Sequence, residues 1–332
     1  MDLFLCKRGP AESAEPSFST TANERLPRII VIFVFAARIA TVTIRFCGGS
    51  QVVKRPTKDT YVMSRISCLL LLSFTGCASL GPLNPMRPVE RSLLFHPTAV
   101  EAPSAGRDFE SVFIEGNDGG TIHGLFLPHP QAQAVVLYCH GNAGNIVDRL
   151  PRLKQLRDQN QISILGFDYR GYGASDGTPA EAGLYADARS SRKWLAERCN
   201  VSEEDIVLLG RSLGGAVAVE LAASDGARGL ILESTFTSIE EVGKSHVKWI
   251  PVSFLVSQRF DSVNKIGKYG GPLLQSHGTA DEVIPFALGQ RLHEAANTAS
   301  KRFVTLPGGH AGPLTDEYET KLANFIASLK NP

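Results

Sequence analysis

The five residues G-R-S-L-G at 210–214 have the types and the spacing of a nucleophilic serine held in a tight turn. The apolar run Asp205–Leu209 before them predicts a strand, and the small residues of Leu213–Ala223 after them predict a helix. A strand that turns this sharply into a helix strains its central residue, so glycines are needed two positions to either side. We therefore predict that Ser212 exposes its hydroxyl as a nucleophile; the alternative is a tight turn without chemistry.

A serine hydroxyl is a weak nucleophile, so it needs a base that removes its proton. The chain has eight histidines. His310 is the candidate base, because it follows the last predicted strand, Lys301–Leu306, in a glycine-rich loop that can place its ring over the strand ends. His277 closes an earlier strand and is expected to order the loop after it.

A histidine base needs an acid that holds its second ring nitrogen. Asp281 lies in the loop after the predicted strand Leu273–Ser276 and is the preferred acid. Two alternatives stay open at this point. Asp281 could instead cap the helix that follows, and Glu233, at the end of the preceding strand, could be the acid.

Acyl transfer also needs hydrogen-bond donors for the oxyanion that develops, and each donor contributes about 3–4 kcal/mol. The backbone N–H of Leu213, directly after Ser212, is the first candidate. The loop H-G-N-A-G-N at 140–145 follows the third predicted strand, and its small residues allow the backbone to approach a substrate. The N–H of Asn142 is the preferred second donor, and the N–H of Gly141 is the alternative.

The segment D-Y-R-G-Y-G-A-S at 168–175 follows the fourth predicted strand. One interpretation makes Arg170 a clamp for an anionic substrate. The preferred interpretation is a structural turn whose aromatic residues form one wall of the site.

All these residues follow strands in a regular pattern of alternating strands and helices, which predicts parallel βαβ units with helices on both faces of the sheet. In such sheets, sites form at the carboxyl ends of the strands. A hairpin at the front makes the sheet mixed. The eight predicted strands are Phe109–Glu115, Thr121–Leu127, Ala134–Tyr138, Ile162–Phe167, Asp205–Leu209, Gly229–Leu232, Leu273–Ser276 and Lys301–Leu306.

Five motifs in this order resemble the α/β-hydrolase superfamily, and within it they are similar to the small-lid ABHD/Bem-type serine hydrolases. They are HGNAGN at 140–145, DYRGYGASDG at 168–177, GRSLGGAVA at 210–218, LESTFTS at 232–238 and HGTADEVIP at 277–285. The resemblance covers about residues 90–330. One departure is visible, because the family often has Asn directly after the histidine and Ala311 stands there.

The resemblance implies an α/β-hydrolase fold, with an eight-stranded, mostly parallel sheet, helices on both faces and a short helical cap at about 236–268. It carries a catalytic triad onto Ser212, Asp281 and His310. It also supports oxyanion donors at Asn142 and Leu213, and it implies neither cofactor nor metal. The apolar residues of the cap could line an acyl-binding cleft or pack beneath a small lid; they are Phe236, Trp249, Ile250, Phe254 and Leu255.

We therefore predict a cofactor-independent serine hydrolase that cleaves acyl esters or thioesters of a small-molecule or lipid substrate. A serine peptidase of the aminopeptidase type is the main alternative, since some bacterial relatives carry a peptidase label. A non-catalytic scaffold on the same fold is a weaker one. Residues 77–332 carry 24 Lys and Arg against 28 Asp and Glu, so this part has no basic footprint for nucleic acid.

The N-terminal quarter of the 332-residue chain reads differently from the rest. Residues 63–77, MSRISCLLLLSFTGC, combine a basic start, a short apolar core and small residues before a cysteine. This pattern resembles a bacterial lipoprotein signal over 63–76, with Cys77 lipidated and the protein held by a membrane in the cell envelope, facing the periplasm or the exterior. The alternatives are an uncleaved anchor at 29–46 and a soluble protein.

The same interpretation divides the chain. Residues 1–62 are then an over-extended N-terminus that precedes a true start at Met63. Residues 77–106, with their prolines and little periodicity, form a linker and an irregular lead-in. The hydrolase domain occupies 107–332.

Overall fold

The structure is a computed structural model that describes residues 87–247 and 256–329. In this part of the chain, eight strands form one sheet. The strands are β1 (Glu110–Glu115), β2 (Thr121–Leu127), β3 (Ala134–Cys139), β4 (Ile162–Phe167), β5 (Val207–Arg211), β6 (Gly229–Glu233), β7 (Leu273–Gly278) and β8 (Lys301–Leu306).

The spatial order of the strands is β8-β7-β6-β5-β3-β4-β2-β1. Strand β2 pairs antiparallel with both β1 and β4, and every other neighbouring pair is parallel. The carboxyl ends of β3, β5, β6, β7 and β8 therefore meet at one edge of the sheet. The predicted eight-stranded, mostly parallel sheet is confirmed.

Helices cover both faces of the sheet. The described helices are α1 (Arg87–Leu94), α2 (Leu150–Asn160), α3 (Glu181–Cys199), α4 (Leu213–Asp225), α5 (Ile239–His246), α6 (Val263–Ile266), α7 (Phe286–Ala295) and α8 (Asp316–Ser328). Apolar residues of α3, α4, α6 and α7 form one core with the sheet, and those of α2 and α8 form a second core on the other face. Within β3, Leu137 and Cys139 belong to the first core, and Val136 and Tyr138 belong to the second. This alternation is the two-residue period of a strand that is buried on both faces.

The lead-in to the domain is more ordered than the sequence predicts. Helix α1 and the short parallel pairing of His96–Pro97 with Ala143–Gly144 both lie inside the segment interpreted as a linker with an irregular lead-in. Pro88 stands near the start of α1, where a missing N–H costs nothing. Phe95 is only 3% exposed and packs in the core. Tertiary contacts, which periodicity cannot reveal, stabilise this segment.

The predicted cap is described in part. Ser238 caps α5 by accepting a hydrogen bond from the N–H of Glu241 at 3.2 Å. Residues 256–260, within the segment expected to form a short helical cap, are not helical. Phe236 is 2% exposed and lies in the first core. The other proposed cleft residues, namely Trp249, Ile250, Phe254 and Leu255, lie outside the described residues, as do the leader and Cys77. None of the described helices is both long and apolar enough for a membrane span.

Candidate active site

Ser212 occupies a sharp turn between β5 and α4, with a φ of 53°. The flanking glycines make the turn possible. A Cβ on Gly210 would lie 2.3 Å from the carbonyl oxygen of Gly214, and a Cβ on Gly214 would lie 2.0 Å from that of Cys139. The N–H of Ser212 donates to the carbonyl of Glu233 at 2.8 Å, so the turn is also tied to the neighbouring strand.

The structure brings the three predicted polar side chains together at the carboxyl edge of the sheet. His310 Nε2 lies 3.0 Å from Ser212 Oγ, and His310 Nδ1 lies 2.8 Å from Asp281 Oδ2. Both distances are hydrogen bonds, and they join groups that are 98 and 29 residues apart in the chain. The imidazole of His310 is therefore within proton-transfer distance of the serine hydroxyl, and its other ring nitrogen is bonded to the carboxylate of Asp281.

Asp281 is held by four groups. Its Oδ1 accepts hydrogen bonds from the N–H groups of Val283 at 2.9 Å and Ile284 at 2.8 Å. Its Oδ2 lies 3.2 Å from Nε2 of the buried His277, besides its bond to His310. Burial alone would raise the pKa of Asp281, but the hydrogen bonds from His277 and His310 outweigh burial and hold the pKa well below its usual value. Asp281 is thus a charged acceptor that also organises the loop before α7.

Glu233, the alternative acid, has other partners. Its Oε1 accepts a hydrogen bond from the hydroxyl of Tyr318 at 2.7 Å, and its side chain is flanked by Arg152 and Arg211 at 3.6 Å each. The imidazole of His310 is bound to Asp281 instead. Between the two candidates that the sequence left open, the geometry favours Asp281.

The loop at 140–145 lies against the serine. A Cβ on Gly141 would be 3.5 Å from both the Cβ of Ser212 and the carbonyl oxygen of Arg211. Leu213 begins α4 directly after Ser212, and the first N–H groups of a helix have no acceptor within the helix. Asn142 is fixed by the hydroxyl of Tyr172, which donates to its carbonyl at 2.8 Å. The assignment of Asn142 and Leu213 as oxyanion donors stays a prediction.

The turn at 168–175 is structural. Arg170 forms hydrogen bonds with Asp187 at 2.6–3.1 Å and with Asp118 at 2.7 Å, so its guanidinium is already neutralised. Asp168 accepts from the N–H of Ile146 at 2.7 Å, just beyond the loop that faces Ser212. These bonds agree with the structural interpretation of this turn, and the anion clamp is not supported; that its aromatic residues form one wall of the site stays a prediction.

Sequence reasoning missed two features of the site. Arg211, adjacent to Ser212, donates from Nη2 to the carbonyl oxygen of His310 at 3.0 Å. Residues 96–100 run beside both the 140–145 loop and the turn at 171–173. Neither feature has a sequence signal of its own, because both depend on contacts between distant segments.

Comparisons with known proteins agree with this fold. A family model described as serine aminopeptidase, S33, matches residues 130–263. The protein Rv2307c of Mycobacterium tuberculosis is 36% identical over 260 residues, which cover 76% of this chain and 91% of that protein. The protein bem46 of Schizosaccharomyces pombe is 32% identical over 234 residues, covering 66% of this chain and 77% of that protein.

Among solved structures, the Pyrococcus furiosus esterase Pf2001 is similar in fold. Its TM-score is 0.59 at 18% identity, and the match covers 70% of this chain and 99% of that one. The sequence relatives, the family model and the strand order point to the same conclusion. The chain belongs to the α/β-hydrolase superfamily.

Proposed function

We propose that this protein is a serine hydrolase that cleaves carboxylic ester or thioester bonds through Ser212, His310 and Asp281. The observation that carries the proposal is the continuous pair of hydrogen bonds from Ser212 Oγ through the imidazole of His310 to Asp281. A serine in the left-handed region at the start of a helix, with a base and an acid in line, is the arrangement that activates a hydroxyl for acyl transfer.

In the proposed reaction, Ser212 Oγ attacks the acyl carbonyl while its proton passes to His310 Nε2. The bond to the leaving group breaks, and the leaving alcohol or thiol takes that proton from His310. Water then gives its proton to His310 and attacks the acyl-enzyme, and the return of the proton to Ser212 releases the acid. Asp281 stays ionised and stabilises the imidazolium in both halves of the cycle.

The negative oxygen that develops in each half needs donors. The proposed donors are the backbone N–H groups of Leu213 and Asn142. Their support is the position of Leu213 at the start of α4 and the close approach of the 140–145 loop to Ser212. Because these donors belong to the backbone, they cost no reorganisation during the reaction.

The experiment compares the wild type with Ser212→Ala on p-nitrophenyl esters whose acyl chains have two to sixteen carbons. We expect the wild type to turn over and the variant to lose at least about 10³-fold in kcat. Circular dichroism and thermal unfolding serve as the check that the variant is folded. Full turnover by Ser212→Ala would overturn the proposal. A rate that rises with chain length would favour lipid or acyl-thioester substrates, and a rate confined to two to four carbons would favour small esters.

One observation favours a second candidate function. The matching family model is described as serine aminopeptidase, S33. Aminoacyl p-nitroanilides added to the same panel separate the two functions. A peptidase would cleave these amides faster than is expected from its rates on the matched p-nitrophenyl esters. Loss of activity in Ser212→Ala on either substrate class would exclude a non-catalytic scaffold.

We also propose that Cys77 is lipidated and holds the protein at a membrane. The support is the order of residues 63–77, in which a single basic residue, an apolar stretch and small residues precede the cysteine. A membrane-borne acyl substrate would suit this location.

A further inference from the structure

Arg211 joins the two sides of the site. It is the last residue of β5, directly before Ser212, and its Nη2 donates to the carbonyl oxygen of His310 at 3.0 Å. Among the described residues, the backbone of His310 has no hydrogen bond other than this one. Arg211, which precedes Ser212 in the chain, therefore holds the backbone of His310, and the imidazole of His310 bonds the hydroxyl of Ser212.

The guanidinium is itself held in place by Glu233. Arg211 and Glu233 are register partners on the parallel strands β5 and β6, so their side chains lie on the same face of the sheet. Arg211 Nη1 lies 3.6 Å from Glu233 Oε2. Glu233 is 2% exposed, and its other oxygen accepts the hydroxyl of Tyr318 at 2.7 Å. A buried, fixed carboxylate thus orients the fork of Arg211 toward the His310 loop.

The loop that carries His310 needs such an anchor. Gly308, Gly309 and Gly312 surround the histidine, and Gly308 has a φ of 98°. Glycine gives a loop more backbone freedom than any other residue. The N–H of Ala280 donates to the carbonyl of Gly308 at 2.9 Å, and the N–H of Gly312 donates to that of Gly309 at 2.9 Å. These bonds hold the residues on either side of His310, and Arg211 bonds the carbonyl of His310 itself.

We propose that Arg211 is a positioning residue, which fixes the backbone of His310 so that its Nε2 stays in line with Ser212 Oγ. This inference rests on the proposed function, and it adds a role for the variable residue of the G-x-S-x-G turn. A displacement of about 1 Å between reacting groups can cost on the order of 10²-fold in rate. The role predicts a loss in the chemical step rather than in substrate binding.

The test compares Arg211→Met with Arg152→Met in the full chain. Arg152 is a matched control, because its Nη2 also lies 3.6 Å from Glu233, from the other carboxylate oxygen, and it has no contact with His310 in the described structure. Two readouts are used. The first is kcat and KM on the best p-nitrophenyl ester. The second is the rate at which a fluorophosphonate probe phosphonylates Ser212, a step that forms an O–P bond, releases fluoride and needs His310 as base.

We expect Arg211→Met to lower kcat and the labelling rate together by about 10–100-fold, with KM within about threefold of the wild type. Arg152→Met should lose thermal stability but keep both rates within about twofold. Arg211→Lys retains a cation that can reach the same carbonyl, so it should recover part of the loss. It also keeps the test decisive if the Met variant does not fold.

Two results would overturn the inference: wild-type labelling by Arg211→Met, or equal rate losses in Arg211→Met and Arg152→Met. Failure of the proposed function has a different signature. In that case the wild type would resist the probe, or Ser212→Ala would react with it as the wild type does.

Discussion

Asp281 carries a buried negative charge at the candidate site. Its carboxylate accepts from two backbone N–H groups and contacts two histidines while almost fully buried. The isosteric Asp281→Asn variant keeps the volume but places an amide against His310, which favours the wrong imidazole tautomer. We expect kcat to fall by roughly 10³–10⁴-fold with KM little changed, as measured on p-nitrophenyl esters. A loss below about tenfold would point to Glu233 or another acid.

The same carboxylate links stability to pH. The pKa of Asp281 is lower in the folded protein than its ordinary value of 3.8, despite burial, because His277 and His310 bond its charged form. A depressed pKa contributes stability that is fully present above the unfolded value, and this contribution falls progressively as the pH drops from the unfolded value to the lower folded value. The difference in unfolding free energy between the wild type and Asp281→Asn should therefore shrink from pH 6 to pH 3. Urea unfolding across this range measures it, and a constant difference would contradict the argument.

The glycines of the serine turn make a separate prediction about stability. A Cβ on Gly214 would lie 2.0 Å from the carbonyl oxygen of Cys139, so the backbone must move to accept it. We expect Gly214→Ala to lower the unfolding free energy by about 1–3 kcal/mol or more in urea unfolding, and to lower kcat. The control is Gly270→Ala, since an added Cβ there meets nothing within 4 Å. Equal losses of unfolding free energy in the two variants would show that the close approach of Gly214 to the carbonyl of Cys139 does not require a glycine there.

These glycines were predictable because the need for them is local, since it arises within one strand–turn–helix unit. The partners of Ser212 were predictable for a similar reason. Asp281 and His310 each follow an apolar strand, and parallel strands bring their carboxyl ends to one edge. The contact of Arg211 was not predictable, because it is made with the carbonyl of a residue 99 positions away.

At the scale of elements, the segment at 96–100 has an unexpected place beside the site. The N–H of Thr98 donates to the carbonyl of Gly144 at 3.2 Å, and its own carbonyl accepts from the N–H of Gly173 at 3.2 Å. The side chain of Asn145 also donates to the carbonyl of Thr98, at 3.4 Å. The lead-in therefore ties the loop at 140–145 to the turn at 171–173.

This contact predicts an effect on catalysis from a residue far along the chain from Ser212. Thr98→Pro removes the N–H that bonds Gly144 and should loosen the loop proposed to donate to the oxyanion. We expect kcat to fall by roughly 10-fold or more with a smaller change in KM. Thr98→Ala is the control, because it keeps every backbone bond at an exposed position. If the two variants have the same kcat, the lead-in does not position the loop.

The elements themselves were predicted with unequal success. Interior strands such as β4, predicted and observed at Ile162–Phe167, are short, mostly apolar segments, and all six residues of β4 are buried. Strand β5 begins at Val207 rather than Asp205, because Asp205 ends a short helical turn, and it continues through Arg211. Helix α1 was missed since its eight residues lie among prolines. Its Glu90 bonds Ser257 and Gln258, and contacts with residues so far along the chain leave no local sequence signal.

At the scale of the whole molecule, helix α1 contacts residues 257–258, which belong to the second half of the predicted cap. Glu90 in α1 accepts hydrogen bonds from the N–H groups of Ser257 at 2.6 Å and Gln258 at 2.8 Å. Residues 87–100 thus make two contacts. Glu90 in α1 contacts residues 257–258, and residues 96–100 contact the loop at 140–145 beside Ser212. If Cys77 is the lipidated residue, only residues 78–86 separate the membrane surface from α1. At about 3.5 Å per residue, that is a reach of roughly 30 Å.

The proposed anchor leads to a prediction for the protein in its own membrane. Residues 77–332 carry four more acidic than basic residues. This net negative charge does not attract the domain to an anionic lipid surface. Membrane retention should therefore depend on the acyl chains at Cys77. We expect the wild type to sediment with membranes and Cys77→Ser to appear in the soluble fraction, with turnover of a short soluble ester within about twofold. Intact mass of the membrane-extracted protein identifies the modification. An unmodified mass for the wild type would contradict the anchor while leaving the proposed chemistry of Ser212 in place.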